Sequence, residues 1–167
     1  LDGLVPSRPL LALLIVPGPQ LEAQPQGPRP AIHPLEGRVL HQVSGLGLES
    51  AKALTGAGAH VVMAARNQEK AQAAFDEIKS TYPDASLEIV ELDLASQAST
   101  KLAAESIVER HPTVDILINN AGLMAMPERR TEDGFEMQLG VNHFGHWTFT
   151  AGLLPALLAA DSSARQR

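Results

Sequence analysis

The pattern of apolar and polar positions divides the chain into two textures. From His60 onward, short apolar runs alternate with segments in which apolar residues recur at helical spacing. His60 to Ala65 (HVVMAA) is β-branched and apolar, as a buried strand should be. Asn67 is placed to cap a helix in which Ala71, Ala74, Phe75 and Ile78 share one face, and Tyr82-Pro83-Asp84 breaks it. Leu87 to Leu92 (LEIVEL) predicts a second strand. Ser96 to His111 predicts a helix stopped by Pro112, and Val114 to Ile118 predicts a third strand. Thr131, with Glu132 and Asp133 in the first turn, predicts a further helix running to about Leu154. Strands alternating with helices imply an α/β fold, a doubly wound parallel sheet of Rossmann-like type. In such sheets ligands bind beyond the carboxyl ends of the strands.

Residues 1–34 read differently. They hold Pro6, Pro9, Pro17, Pro19, Pro25, Pro28, Pro30 and Pro34, eight of the chain's twelve prolines. Proline fixes φ and removes a backbone donor, so this stretch is expected to be a disordered leader unable to build a sheet. Pro6 to Pro9 and Pro25 to Pro28 fit P-x-x-P, but an unstructured leader accounts for them. Two domains of unequal character follow: a Pro-rich leader, 1–34, and a partial nucleotide-binding domain, 35–167. The apolar run Leu10 to Val16 follows Arg8 but is too short to span a bilayer, which takes about 20 residues. Val141 to Ala160 is interrupted by Asn142, His143, His146 and Pro155 and suits a buried helix better than a bilayer.

Composition narrows the function. The net charge is −6, which gives no electrostatic footprint for nucleic acid or anionic lipid. No cysteine is present, so disulfides and thiolate metal sites are excluded. A reducing compartment fits, and localisation is left open with the cytoplasm favoured. His143 and His146 stand i, i+3 on a helix without an evident third ligand, so a packed or interface pair is expected there and no metal site.

The candidate chemistry lies at strand ends. Ser44-Gly45-Leu46-Gly47 leads into a helix, where glycines let backbone amides approach a pyrophosphate. Arg66 follows Gly47 by nineteen residues and ends the HVVMAA strand. An acid near this point would serve the ribose 2′-hydroxyl of NAD; a guanidinium suits the 2′-phosphate of NADP. Asp93-Leu94 follows the second strand, and Asn119-Asn120-Ala121-Gly122 the third.

Together these residues resemble the short-chain dehydrogenase/reductase family, from about Leu35 to Leu158. Asn119-Asn120-Ala121-Gly122 looks like the family's N-N-A-G motif, and Val141-Asn142-His143-Phe144-Gly145-His146 is similar to its N-h-x-G segment. Leu35-Glu36-Gly37-Arg38-Val39 looks like the usual lead-in to its first strand, and AARNQEKA around Arg66 is similar to retinol-dehydrogenase-like, NADP-preferring members. The resemblance implies an oxidoreductase moving hydride between NADP(H), with NAD(H) as the alternative, and a small-molecule alcohol or carbonyl. It implies that Gly45 and Gly47 hold the pyrophosphate with Ser44 and Leu46 beside them. Arg66 would meet the 2′-phosphate, Asp93 and Leu94 the adenine, and Asn119 and Ala121 the ribose. Asn142 would be the Asn of the catalytic tetrad. It also implies subunit pairing through the 131–154 helix.

Two departures qualify that picture. Where the family loop T-G-x-x-x-G-x-G begins, this chain has Leu40 and His41, and a side chain in that tight turn is expected to weaken cofactor binding. The family's Ser and Tyr-x-x-x-Lys do not occur: the single tyrosine, Tyr82, is followed four residues later by Ser86. The chain begins at Leu1 rather than Met, and the reading is of a truncated, inactive member or a fragment acting by weak nucleotide binding or subunit pairing.

Overall fold

In a computed structural model, which describes residues 11–16 and 43–160, four parallel strands form one sheet. They are β1 (Leu11–Val16), β2 (His60–Ala65), β3 (Ser86–Glu91) and β4 (Ile116–Ile118), in the order β3-β2-β1-β4. The helices are α1 (Val43–Gly56), α2 (Gln68–Thr81), α3 (Gln97–Arg110), a short α4 (Met137–Leu139) and α5 (His146–Leu158), with a π-helical segment at Gly140–Gly145.

The side-chain period of two sorts β2 between two cores. Val61 and Met63 join Ala51 and Leu54 of α1 and Phe75 and Ile78 of α2 on one face. Val62 and Ala64 join Ala103, Ala104 and Ile107 of α3 and Phe149, Leu153 and Ala156 of α5 on the other. Both faces are therefore covered, which makes the sheet doubly wound. Phe149 and Leu153 are fully buried, and each such side chain contributes about 1.5–3 kcal/mol through lost apolar exposure.

The predicted elements from His60 to Ile118 appear within a residue or two, with their caps. Asn67 accepts from Lys70 N at 2.9 Å, and Ser96 caps α3 by accepting from Ser99 N at 3.3 Å. Tyr82 terminates α2, its N–H bonding Ile78 O.

Two expectations are corrected. Residues 1–34 were expected to build no sheet, yet Leu11–Val16 is an interior strand, paired with β2 over six positions and with β4 over three. Proline's effect is local: the hexamer LALLIV lies between Pro9 and Pro17 and lacks no donor of its own. The rest of the proposed leader, both P-x-x-P segments and Leu35 to Gln42, including Leu40 and His41, lie outside the described residues. The second correction is the helix expected from Thr131. Its acid-rich start is a turn, in which Thr131 Oγ1 accepts from Phe135 N at 3.2 Å. The helix begins at Met137, capped by Glu136, whose carboxylate accepts from Gln138 N and Leu139 N at 3.0 and 2.9 Å. Those backbone bonds lower the Glu136 pKa. The helical run then continues past Leu154 to Leu158 with Pro155 inside it.

Candidate functional site

The carboxyl ends of β2, β3 and β4 carry most of the residues singled out above. Arg66 directly follows β2, and its guanidinium lies 3.9 Å from Asp93 Oδ1 in the loop after β3. Asp93 is held by its own turn: Oδ1 accepts from Ala95 N at 2.9 Å, and its N–H donates to Ser99 Oγ at 3.0 Å. Both side chains keep substantial exposure, 42% and 33%, so the pair sits at the rim of the sheet within reach of a solvent-borne ligand. Leu94, by contrast, points into the core and is 6% exposed.

Ser44, Gly45, Leu46 and Gly47 lie inside the first turns of α1 rather than in a loop before it. This is the end of a helix that leaves backbone N–H groups free for an anion. Gly45 has no heavy atom near the place a Cβ would take, whereas Leu46 is 64% exposed.

The N-N-A-G segment and Asn142 meet in one cleft. It has a volume of about 340 Å³ and is lined by Asn119, Ala121, Asn142, His143, His146, Trp147 and Thr150. Asn142 stands in the π-helical segment and grips one residue of the strand-end loop from both sides. Its Oδ1 accepts from Leu123 N and its Nδ2 donates to Leu123 O, each at 2.7 Å. π-helical segments are rare and often stand at functional sites. Gly122 packs under Asn142, with Asn142 Oδ1 3.5 Å from the position of a Cβ. Gly145 ends the π-helical segment against the loop after β3. A Cβ there would lie 2.5 Å from Leu94 O, so only glycine permits the approach.

His146 and Thr150 follow Asn142 at i+4 and i+8, a polar stripe that sequence reading missed and that helical spacing could have revealed. His146 Nε2 is 2.8 Å from Ala121 O, and Nδ1 is 3.2 Å from the Asn119 side chain, which also bonds Thr150 Oγ1 at 3.1 Å. Burial lowers the His146 pKa, and the Ala121 carbonyl partly offsets it. Asn119 Oδ1 faces the ring's Nδ1, while Asn119 Nδ2 donates to the Thr150 hydroxyl. The tautomer of the ring decides which of its nitrogens donates. Asn120 Nδ2 is buried and has no hydrogen-bond partner among the described residues. His143 is exposed while His146 is buried.

The sequence model described as "short chain dehydrogenase" matches residues 39–165. The chain belongs to the short-chain dehydrogenase family. Among relatives of this family, human retinol dehydrogenase 13 is 43% identical over 120 residues, 72% of this chain and 36% of that protein. Mouse retinol dehydrogenase 14 is 36% identical over 159 residues, 89% of this chain and 47% of that protein. The chain thus spans less than half the length of these relatives. Of solved structures, an uncharacterized protein from Mycobacterium paratuberculosis is 32% identical with a TM-score of 0.64, covering 89% of this chain and 42% of that one. A metagenomic short-chain oxidoreductase in complex with NADP has the same TM-score at 21% identity, covering 90% and 57%, and shares the fold. No helix among the described residues is long and apolar enough to cross a membrane.

Proposed function

We propose that this chain carries the nucleotide-binding half of an oxidoreductase that moves hydride between NADP(H) and a small alcohol or carbonyl. The observation that carries this is the Arg66–Asp93 pair at the carboxyl rim of adjacent strands. A guanidinium there offers charge-assisted, bidentate bonds to a 2′-phosphate, and the neighbouring carboxylate would meet an adenine amino group. The α1 N-terminus with Gly45 and Gly47 would hold the pyrophosphate, with Ser44 and Leu46 beside it. Asn119, Asn120, Ala121 and Gly122 would wall the ribose side, and Leu94 would back Asp93 from the core at the adenine side. When bound, the cofactor supplies the hydride chemistry. The chain's own part is to bind, orient and shield, with Asn142 fixing the Leu123 backbone beside the cleft.

Within these 167 residues no Tyr-x-x-x-Lys occurs, and Tyr82 caps α2 away from the cleft. The chain by itself is therefore expected to bind without turning over. Titration of NADPH and NADH, followed by nucleotide fluorescence, tests the reading. NADPH should bind about tenfold or more tightly, in line with one to two charge-assisted hydrogen bonds. Arg66→Ala should bring the two affinities together. Equal affinities in the unaltered chain would remove NADP preference, and NADPH-dependent reduction of a carbonyl above background would remove the inactivity.

The exposed stripe of α5 (His146–Leu158) supports a second reading, subunit pairing through that helix. Trp147, Leu154 and Leu158 recur at i, i+7 and i+11 and are 70%, 47% and 73% exposed. A large apolar stripe of this kind marks an interaction surface. A monomer by sedimentation at micromolar concentration would dismiss it.

A further inference from the structure

At the opposite end of the sheet from the nucleotide rim, three side chains from three elements converge. His60 opens β2, Glu88 lies two residues into β3, and His111 is the C-cap residue of α3. One ligand-type atom from each, an imidazole nitrogen or a carboxylate oxygen, lies within 4.8 Å of the others. His111 Nε2 is 2.9 Å and His60 Nε2 3.8 Å from the same oxygen, Glu88 Oε2. The two rings lie 5.3 Å apart between centroids.

We propose that His60, Glu88 and His111 form a zinc site that staples β2, β3 and the end of α3. The donor set, two imidazoles and one carboxylate, is one that zinc takes with a solvent molecule as fourth ligand. Ligand bonds of about 2.0–2.1 Å in a tetrahedron place donor atoms about 3.3 Å apart, between the 2.9 and 3.8 Å seen here. The whole set lies within 4.8 Å, and side-chain movement would close the rest.

Two further observations favour a ligand over a plain hydrogen-bonded cluster. His60 Nε2 is buried and has no hydrogen-bond partner among the described residues, a costly state for an imidazole nitrogen unless something binds it. Its other nitrogen, Nδ1, is 2.6 Å from Ser86 Oγ, an outer partner that fixes the ring and turns Nε2 inward. The carboxylate is likewise oriented from behind: Arg110 forms an ion pair with Glu88 Oε1, leaving Oε2 toward both histidines. The backbone sets the geometry. His60 and Ser86 are register partners across β2 and β3, and Glu88 lies on the same face as Ser86.

The test uses the full chain without a polyhistidine tag, stripped with chelator and titrated with Zn²⁺ in competition with a chromophoric chelator, and separately with Co²⁺. About one equivalent should bind, and Co²⁺ should develop the visible absorption of four-coordination. His60→Gln and His111→Gln should each weaken binding by roughly tenfold or more, while His143→Gln should leave it unchanged. Ser86→Ala leaves all three ligands in place and should weaken binding by about tenfold, the usual scale for an outer partner. It decides the matter if a histidine variant does not fold, as judged by circular dichroism. Absence of binding at micromolar protein overturns the proposal. So does binding that folded His60→Gln, or Ser86→Ala where His60→Gln is unfolded, leaves as tight as before.

Discussion

Along the carboxyl ends of the strands, polar side chains hold backbone: Asn142 grips Leu123, Asp93 caps its own turn, and His146 ties to Ala121. At the amino ends they hold one another: His111 and Arg110 both engage Glu88, and His60 faces them with a bare nitrogen. The first rim resembles a mould. Its groups fix loops so that exposed ones, such as Arg66, stay poised toward solvent. The second resembles a clasp, whose groups converge on a point. The same sheet supports both because its strands are parallel, so all amino ends lie on one edge and all carboxyl ends on the other.

Breaking β1 should abolish the contrast altogether, since both rims hang on the sheet it helps to form. Leu14→Pro removes a donor and inserts a ring where the strand pairs with β2 and β4. A loss of about 3 kcal/mol or more is expected, enough to unfold a marginal domain. Retention of the cooperative thermal transition would show that Leu11–Val16 is dispensable.

Gly145→Ala should damage the carboxyl rim selectively. Alanine would gain about 0.5–1 kcal/mol over glycine in a helix. Its Cβ, however, would meet Leu94 O at 2.5 Å, and overpacking of this kind costs about 1–3 kcal/mol. The clash should win, lowering stability and nucleotide affinity together while leaving metal affinity at the amino rim intact. Unchanged or raised stability in urea denaturation would show that the loop after β3 yields.

Acidification should probe both rims at once, and more gently. His60, His111 and His146 all have pKa values below their ordinary 6.5, chiefly through burial. Lowered values mean the unfolded chain binds protons first. The stability these rings contribute is therefore complete above about pH 6.5 and is lost as pH falls through the folded values. A melting temperature that rises between pH 7.5 and 5.5 would contradict this sign.

How legible these rims were depends on the range over which each signal acts. β2, α2 and α3 could be read closely because alternation, Asn67, Ser96 and Pro112 act within a few residues. β1 was hidden by averaging: eight prolines over 34 residues outweighed a proline-free hexamer. The start at Thr131 was misplaced because acids that suit a helix N-terminus equally suit a turn, and Glu136 caps the real start. Arg66 and Asp93 were singled out one by one, but their pairing is a product of β2–β3 register. His143 and His146 stand out because they are neighbours in sequence. His60, Glu88 and His111 are far apart along the chain, and no spacing rule joins them before the sheet does.

The position of β1 also bears on the order in which the molecule assembles. β2, α2 and β3 form a contiguous unit whose parallel pairing closes a short segment, His60 against Ser86. β1 instead pairs Leu11 with His60, closing residues 12–59, against residues 61–85 between His60 and Ser86. Closure entropy grows slowly, about 0.6 kcal/mol per doubling of the closed length, so the native state loses little. The search, though, is long-range, and long-range pairing is slow. Until the hexamer docks, β2 and β4 each present an open strand edge, a template for pairing with another chain. The strand that completes the sheet is thus also its late-arriving guard against aggregation.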